Sequence, residues 1–289
     1  MIYRKKYLAV FFIAPAFLFL LVFVCYPFLM NIYNSFFEIN VLGAPIGKWN
    51  HFENYRMLFK DPNMITSIKN TFLLMALVII FQGGIALLLA LLVDYIRRGA
   101  QLYRVIFFFP MVISAAALGL IFNLLYLYPD GPLNVIMTSL GFDPIIWKGE
   151  GNAFAAIAIP TIWSNVGFYF VIYVMGINNI PTDVMEAAQI DGAVGLKKTR
   201  YLTIPLLYNV LTTTFILMIT GALRVFDMAW ILLPNGQPGG STYLTGTYMY
   251  QMTFINRNVD YGATIAVFIV ILGILLSQLT NKIFKPKDY

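Results

Sequence analysis

The chain has 289 residues, of which 60% are hydrophobic and 11% charged, and its formal net charge is +6. A soluble domain carries roughly 25% charged residues, so this composition excludes a water-soluble fold and places the chain in lipid. A single cysteine, Cys25, and a single histidine, His51, exclude a disulfide, a thiolate metal site and a histidine-based triad within the chain.

A charge at mid-bilayer is costly, and a helical crossing needs about 20 apolar residues. Six charge-free runs meet that length: Tyr7–Phe37, Asn70–Val93, Val105–Pro129, Gly151–Thr182, Tyr201–Leu223 and Tyr261–Asn281. They predict an all-α membrane protein, one transmembrane domain over residues 1–289, with spans at about 7–34, 70–94, 104–128, 152–178, 202–224 and 261–284. The first run follows MIYRKK, which resembles the charged start of a signal peptide. It is too long for one and has no convincing cleavage site, so it reads as an uncleaved anchor.

Further along, NHFENYRMLFKDPN sets Phe52, Tyr55, Leu58 and Phe59 at helical spacing, which predicts a short amphipathic helix on the outer surface. Pro110 and Pro160 fall inside the third and fourth spans, where each favours a kink. On the fourth span, Thr161, Ser164, Asn165, Phe168 and Ile172 share one helical face. Two hydroxyls, an amide and a ring suit a neutral sugar, with Thr220 of the fifth span as a facing partner. Small polar residues serve equally to cement helices together in a membrane, so both readings stay open.

Between those spans runs EAAQIDGAVGLKKTRYLTIPLL, Glu186–Leu207, which is polar where its surroundings are not. Pro181 and Thr182 mark a helix start with Thr182 as N-cap, and Asp183 and Glu186 lie near the positive end of its dipole. Ala187 and Ala188 keep the helix thin. Asp191-Gly192-Ala193 ends it at a turn that glycine permits. A second short helix carries Lys197, Lys198 and Arg200 before Pro205 opens the fifth span. After that span, LPNGQPGGSTY reads as irregular turns.

Basic residues orient the whole. With the N-terminus inside, Arg4, Lys5, Lys6, Arg97, Arg98, Arg104, Lys197, Lys198, Arg200, Lys282, Lys285 and Lys287 are cytoplasmic, twelve against the seven left outside. Both termini are therefore cytoplasmic, and the positive charge is topological rather than a nucleic-acid footprint. No charge-free run holds an ionisable relay, a catalytic pair or a metal site, and no phosphate loop is present. A chain that moves a solute uphill then depends on a partner for the work.

Glu186-Ala187-Ala188, Gly192 six residues after the Glu, and Leu202 with Pro205 closing the stretch form a pattern that resembles the EAA loop of binding-protein-dependent ABC importer permeases. Ile180-Pro181 before it and Asp191-Gly192-Ala193 within it resemble the sugar branch, of the maltose or multiple-sugar type. ENYRMLFKDP, Asn70-Thr71 and Val225-Phe226-Asp227 extend the likeness over nearly the whole chain. Thr199 stands where the family often has an aromatic residue, and LPNGQPGG replaces the usual TGGGP of the last outer loop.

The resemblance implies the type I ABC importer permease fold, with residues 180–205 as coupling helices that dock on a cytoplasmic ATPase through Glu186, Ala187, Ala188, Asp191, Gly192 and Pro205. It also implies a heterodimer with a second permease, two ATPase subunits that bind the ATP, and an extracytoplasmic solute-binding protein. The setting is a bacterial inner membrane, the solute a sugar or oligosaccharide, and the chain carries no cofactor and catalyses nothing itself. A polyol phosphate or other non-sugar solute is an alternative. A stand-alone channel or secondary carrier fits less well, given the absent intramembrane charges and the EAA pattern. The orientation is testable. A cysteine near Gly239 is expected to react with an impermeant thiol reagent from outside, and one near Lys198 is not. Reversed labelling would overturn the topology.

Overall fold

The structure, a computed structural model, describes residues 6–39, 45–96 and 100–284. Arg4, Lys5, Arg97, Arg98, Lys285 and Lys287, used above for orientation, lie outside the described residues. Among the described residues five helices are long and apolar enough to cross a membrane: Val10–Asn34, Pro62–Ile96, Ala153–Asn178, Tyr208–Leu232 and Val259–Ile283. A sixth crossing follows if Gln101–Val112 and Ala115–Leu125 count as one span bent by 89°. The chain forms two compact units, Met1–Asp61 with Met249–Val270, and Pro62–Tyr248 with Ile271–Tyr289.

In the first unit, Val10–Asn34 buries none of its apolar stretch, and Phe11 and Phe12 are 73% and 78% exposed. A helix apolar on every side is at home only in hydrocarbon. Its continuation holds a feature the charge-free run concealed. Phe37–Ile39 (β1) and Pro45–Trp49 (β2) pair antiparallel, with Phe37 opposite Trp49. Aromatic rings hold the pair, Phe36 stacking on Trp49 and meeting Phe52 edge-on, both at 5.4 Å. Lys48 donates to Glu38 across the hairpin at 2.8 Å, and this bond raises the Lys48 pKa.

The predicted surface helix spans Glu53–Leu58 and buries Leu58 completely. Buried Asn50 sets its start: the amide donates to the Ser35 carbonyl at 3.0 Å, and Oδ1 accepts the Phe52 N–H at 3.1 Å. That side-chain turn supports left-handed backbone at His51 and Phe52. Within the same unit Tyr261 donates to Asp61 at 2.8 Å and Asn54 to Asp260 at 3.3 Å.

In the second unit, Pro62–Ile96 begins well before Asn70, because Pro62 suits a first helical turn. Asn70 donates to the Ser241 and Tyr243 carbonyls at 2.7 and 2.9 Å, and Thr71 Oγ1 accepts the Thr245 N–H at 3.0 Å. The two residues thus pin the last irregular loop, where burial raises the Tyr243 pKa. The third span does not bend at Pro110. It breaks at Ser114, whose backbone leaves the helix and whose hydroxyl accepts the Ala117 N–H at 3.2 Å to start a new one. Pro160, by contrast, lies within a helix that runs on unbroken from Ala153 to Asn178.

That fourth helix is the centre of the unit, with Ala156, Ile157 and Phe170 fully buried. Tyr173 and Thr214, both buried, share a hydrogen bond of 3.0 Å to the fifth helix. At Gly167 the helix meets backbone directly: an added Cβ would lie 1.9 Å from the Phe107 carbonyl oxygen. Small residues permit such close helix packing in membranes. Gly167→Ala is therefore expected to cost about 1–3 kcal/mol through overpacking and to lower the melting temperature of the purified protein. Gly84→Ala, which meets nothing within 4 Å, is expected to be neutral or stabilising. Equal melting of the two variants would contradict the close contact.

Candidate functional site

Two features of the second unit are candidates for function, and the fourth helix links them. Beyond its C-terminal end the chain turns through Pro181 into the helix Thr182–Ile190. The N-cap is Pro181 rather than Thr182. Proline has no side-chain acceptor to offer, and the Thr182 hydroxyl lies 3.5 Å from Asp183 instead of capping a backbone N–H. Asp183 still meets the positive end of the dipole. Glu186 and Ala187 are exposed on this helix, and Ala188 is half-buried.

Its far end closes in a Schellman turn. Ala193 N–H bonds the Ala188 carbonyl at 2.8 Å and Gly192 N–H the Gln189 carbonyl at 3.1 Å, with Asp191 as C-cap and Gly192 at φ 76°. Gly195, at φ 56° and ψ −131°, then turns the chain into the short helix Leu196–Lys198. A wide turn over Thr199–Thr203 leads into Ile204–Leu206, which holds Pro205. Ile190 and Leu196 are each 87% exposed, and Val194 and Tyr201 are exposed as well.

One ion pair ties this hairpin to the second span. Lys198 Nζ lies 3.5 Å from Asp94 Oδ2, with the two side chains 18% and 32% exposed. Beside the pair is a hollow of about 230 Å³ bounded by Leu91, Tyr95, Gln189 and Val194. The ion pair thus forms a charged strut between the hairpin and the second span, beside this gap.

The second feature is a hollow of about 280 Å³ in which Thr161, Ser164 and Asn165 meet Arg224, Phe226 and Asp227. It forms because the fifth helix ends at Leu223, leaves 224–226 irregular, and resumes at Asp227–Leu232. Thr161 and Ser164 are buried and Asn165 half-buried. Phe168 does not line this hollow and packs edge-on against Tyr169 at 5.1 Å. Thr220 does not line it either, and its hydroxyl bonds the Ile216 carbonyl of its own helix at 2.9 Å. Trp163 faces elsewhere, into an apolar groove with Pro110 and Phe154. Among the described residues no cluster of His, Cys, Asp and Glu could hold a metal ion.

Residues 82–287 match the family of binding-protein-dependent transport system inner membrane components. The chain belongs to this family. It is 34% identical to an osmoprotective compounds uptake permease protein of Synechocystis, over 96% of this chain and 99% of that one. It is 30% identical to a sulfoquinovosyl glycerol transport system permease protein of Agrobacterium fabrum, over 98% and 92%. Its fold is that of a chain of a bacterial ABC transporter involved in the import of the acidic polysaccharide alginate, with a TM-score of 0.86 at 20% identity over 98% of this chain and 96% of that one. The permease is thus a multi-pass membrane protein of type I ABC importer fold, a component of a system that depends on a binding protein.

The Thr161–Asn165 face was legible as a helical pattern, whereas its partners Arg224 and Asp227 were not recognised as lining it. Their signal was present: two charges flanking Val225-Phe226 between apolar stretches. At the hairpin the geometry makes a sharp demand on one residue. Because an added Cβ at Gly192 meets nothing within 4 Å, substitution there tests backbone conformation alone. Gly192→Asn, tolerant of left-handed backbone, is expected to keep the turn. Gly192→Val is expected to weaken it by about 1–2 kcal/mol, seen as faster hydrogen exchange at residues 187–193 and as reduced transport. Identical exchange in the two variants would refute the demand.

Proposed function

We propose that the permease forms one half of the pathway of an ATP-driven ABC importer for a sugar or oligosaccharide, and that residues 180–205 transmit the work of a cytoplasmic ATPase. The observation that carries this reading is the exposure of Ile190, Val194, Leu196 and Tyr201 on a hairpin that glycines hold at two fixed turns. Apolar side chains displayed on so polar a stretch mark a protein contact. Exposed Glu186 and the thin Ala187-Ala188 face supply the polar part of the same surface. The remaining partners follow: a second permease as heterodimer, two ATPases that hold the ATP, and an extracytoplasmic solute-binding protein, with both termini of this chain in the cytoplasm of a bacterium.

The Asp94–Lys198 strut explains how a push on the hairpin reaches the bundle. Movement of the hairpin loads the end of the second span directly and the fourth through residues 178–182, so outward- and inward-facing arrangements alternate. The sugar assignment is supported by the hydroxyl, amide and aromatic lining of the 280 Å³ hollow and by the relative named for sulfoquinovosyl glycerol. A non-sugar solute is the second reading, favoured by the relative named for osmoprotective compounds.

Glu186→Lys tests the coupling. The variant is expected to insert and to pair with the second permease, while co-purification of the ATPase falls roughly tenfold, about 1.4 kcal/mol, and uptake is lost. Normal ATPase binding and normal uptake would leave the hairpin without this role.

A further inference from the structure

Asp94 borders two hollows, and each holds a cation. In the hollow of about 230 Å³ it stands beside Lys198 of the hairpin. It also lines a second hollow, of about 240 Å³, together with Arg104 of the third span and the apolar walls Val93, Val174 and Ile177. The tie to Lys198 is loose at 3.5 Å, where a close charged N–H···O bond measures about 2.7–2.9 Å. Arg104 has less. Its Nε is buried without a hydrogen-bond partner, and among the described residues its side chain forms no ion pair. A guanidinium carries five N–H donors, and holding them beside valine and isoleucine with no acceptor is costly.

Neither charge serves its own helix. Asp94 lies in the last turn of Gly84–Ile96, where the negative end of the dipole disfavours a carboxylate. Arg104 lies one turn into Ala100–Val112, toward the positive end, where a cation gains nothing. Helix stability therefore accounts for neither residue, and each needs an opposite charge from another element. The two line the same small hollow. The present partner of Asp94, by contrast, sits on the part of the chain that the proposed coupling moves.

We propose that Asp94 exchanges partners during the transport cycle, held by Lys198 in the arrangement described here and by Arg104 once the hairpin has shifted. The inference rests on the coupling role of residues 180–205 and adds the element that makes the coupling two-state. If Lys198 simply withdrew, the move would strand a partly buried carboxylate, and removing one partner of such a pair is strongly destabilising. Turning to Arg104 gives Asp94 a new cation and gives Arg104 an acceptor. The Lys198 ammonium, released on a hairpin outside the hydrocarbon, is solvated by water. One carboxylate is paired in both arrangements, so a modest push from a partner suffices to select between them. Arg104 is thus a positioning residue: it holds the shifted state and touches no solute.

The test reads the hairpin position directly. In the assembled importer, with Cys25→Ser to remove the native thiol, Tyr95→Cys on the second span and Gln189→Cys on the hairpin carry nitroxide labels. Both positions are exposed and border the 230 Å³ hollow. Electron paramagnetic resonance measures the distance between the labels without nucleotide and with ATP and vanadate. Two distances are expected, nucleotide moving the population from the first to the second. Arg104→Gln is expected to lower the second population at least fivefold, and Arg104→Lys, which keeps a cation, to restore most of it. Lys198→Gln is expected to raise the second population in the absence of nucleotide. In an Asp94→Asn background, Arg104→Gln is expected to change nothing further. Populations indifferent to Arg104→Gln overturn the proposal and leave the coupling reading standing. An Arg104→Gln effect that persists undiminished with Asp94→Asn also overturns it, because the arginine then acts without the carboxylate. A single distance under every condition sinks the coupling reading, and this inference with it.

Discussion

Hydrocarbon offers no water to the peptide group, so each N–H and C=O inside the bilayer must find its partner within the protein. That demand explains where the helices of this permease are allowed to stop. At Ser114 the break is made good by a hydroxyl that accepts a first-turn N–H. At 224–226 the helix end is closed by the Arg224 and Val225 amides on the Gly221 and Ala222 carbonyls. Elsewhere the chain widens rather than breaks, with π-turns at Leu21–Cys25 and Val78–Gly83 keeping the backbone bonded. The interruptions are few, and one of them makes the hollow.

Outside the hydrocarbon the same accounting is relaxed, and the hairpin of residues 182–206 uses that freedom. Its first helix leaves its early N–H groups without a side-chain cap, and its turns depend on glycine conformations. Among the described residues one ion pair ties it to the second span. Such a pair contributes little to stability, of order 0–1 kcal/mol at partial exposure, but it fixes a direction. For the coupling role proposed above, a weak, directional tie suits a part that shifts while staying in register.

Much of this was legible along the chain, for identifiable reasons. The absence of charge accumulates over about 20 residues and survives local irregularity, so the crossings could be read. The hairpin could be read because glycine, alanine and proline act through backbone geometry at their own positions. The β1–β2 hairpin was hidden because Phe36 and Phe37 continue an apolar run, and aromatic residues look alike at the end of a span and at the start of a strand. The 89° corner depends on one serine, four residues after the proline that the sequence marks as the kink. The charged rim of the hollow was hidden by distance: Arg224 and Asp227 stand some sixty residues from Asn165, and only tertiary packing brings them together.

The contact at Gly167 has a mechanical meaning. Where backbone rests on backbone there is no side chain to slide or change rotamer, so the contact at that point is a stiff one. Asn165 lies two residues away, about 3 Å along the axis, while Asn178 lies eleven residues away, about 17 Å. A rocking motion pivoting at the glycine that carries the hairpin end by about 5 Å displaces the Asn165 level by only about 1 Å. The fourth helix then has the geometry of a lever: under the proposed coupling, the long arm receives the stroke and the short arm carries the Thr161–Asn165 face.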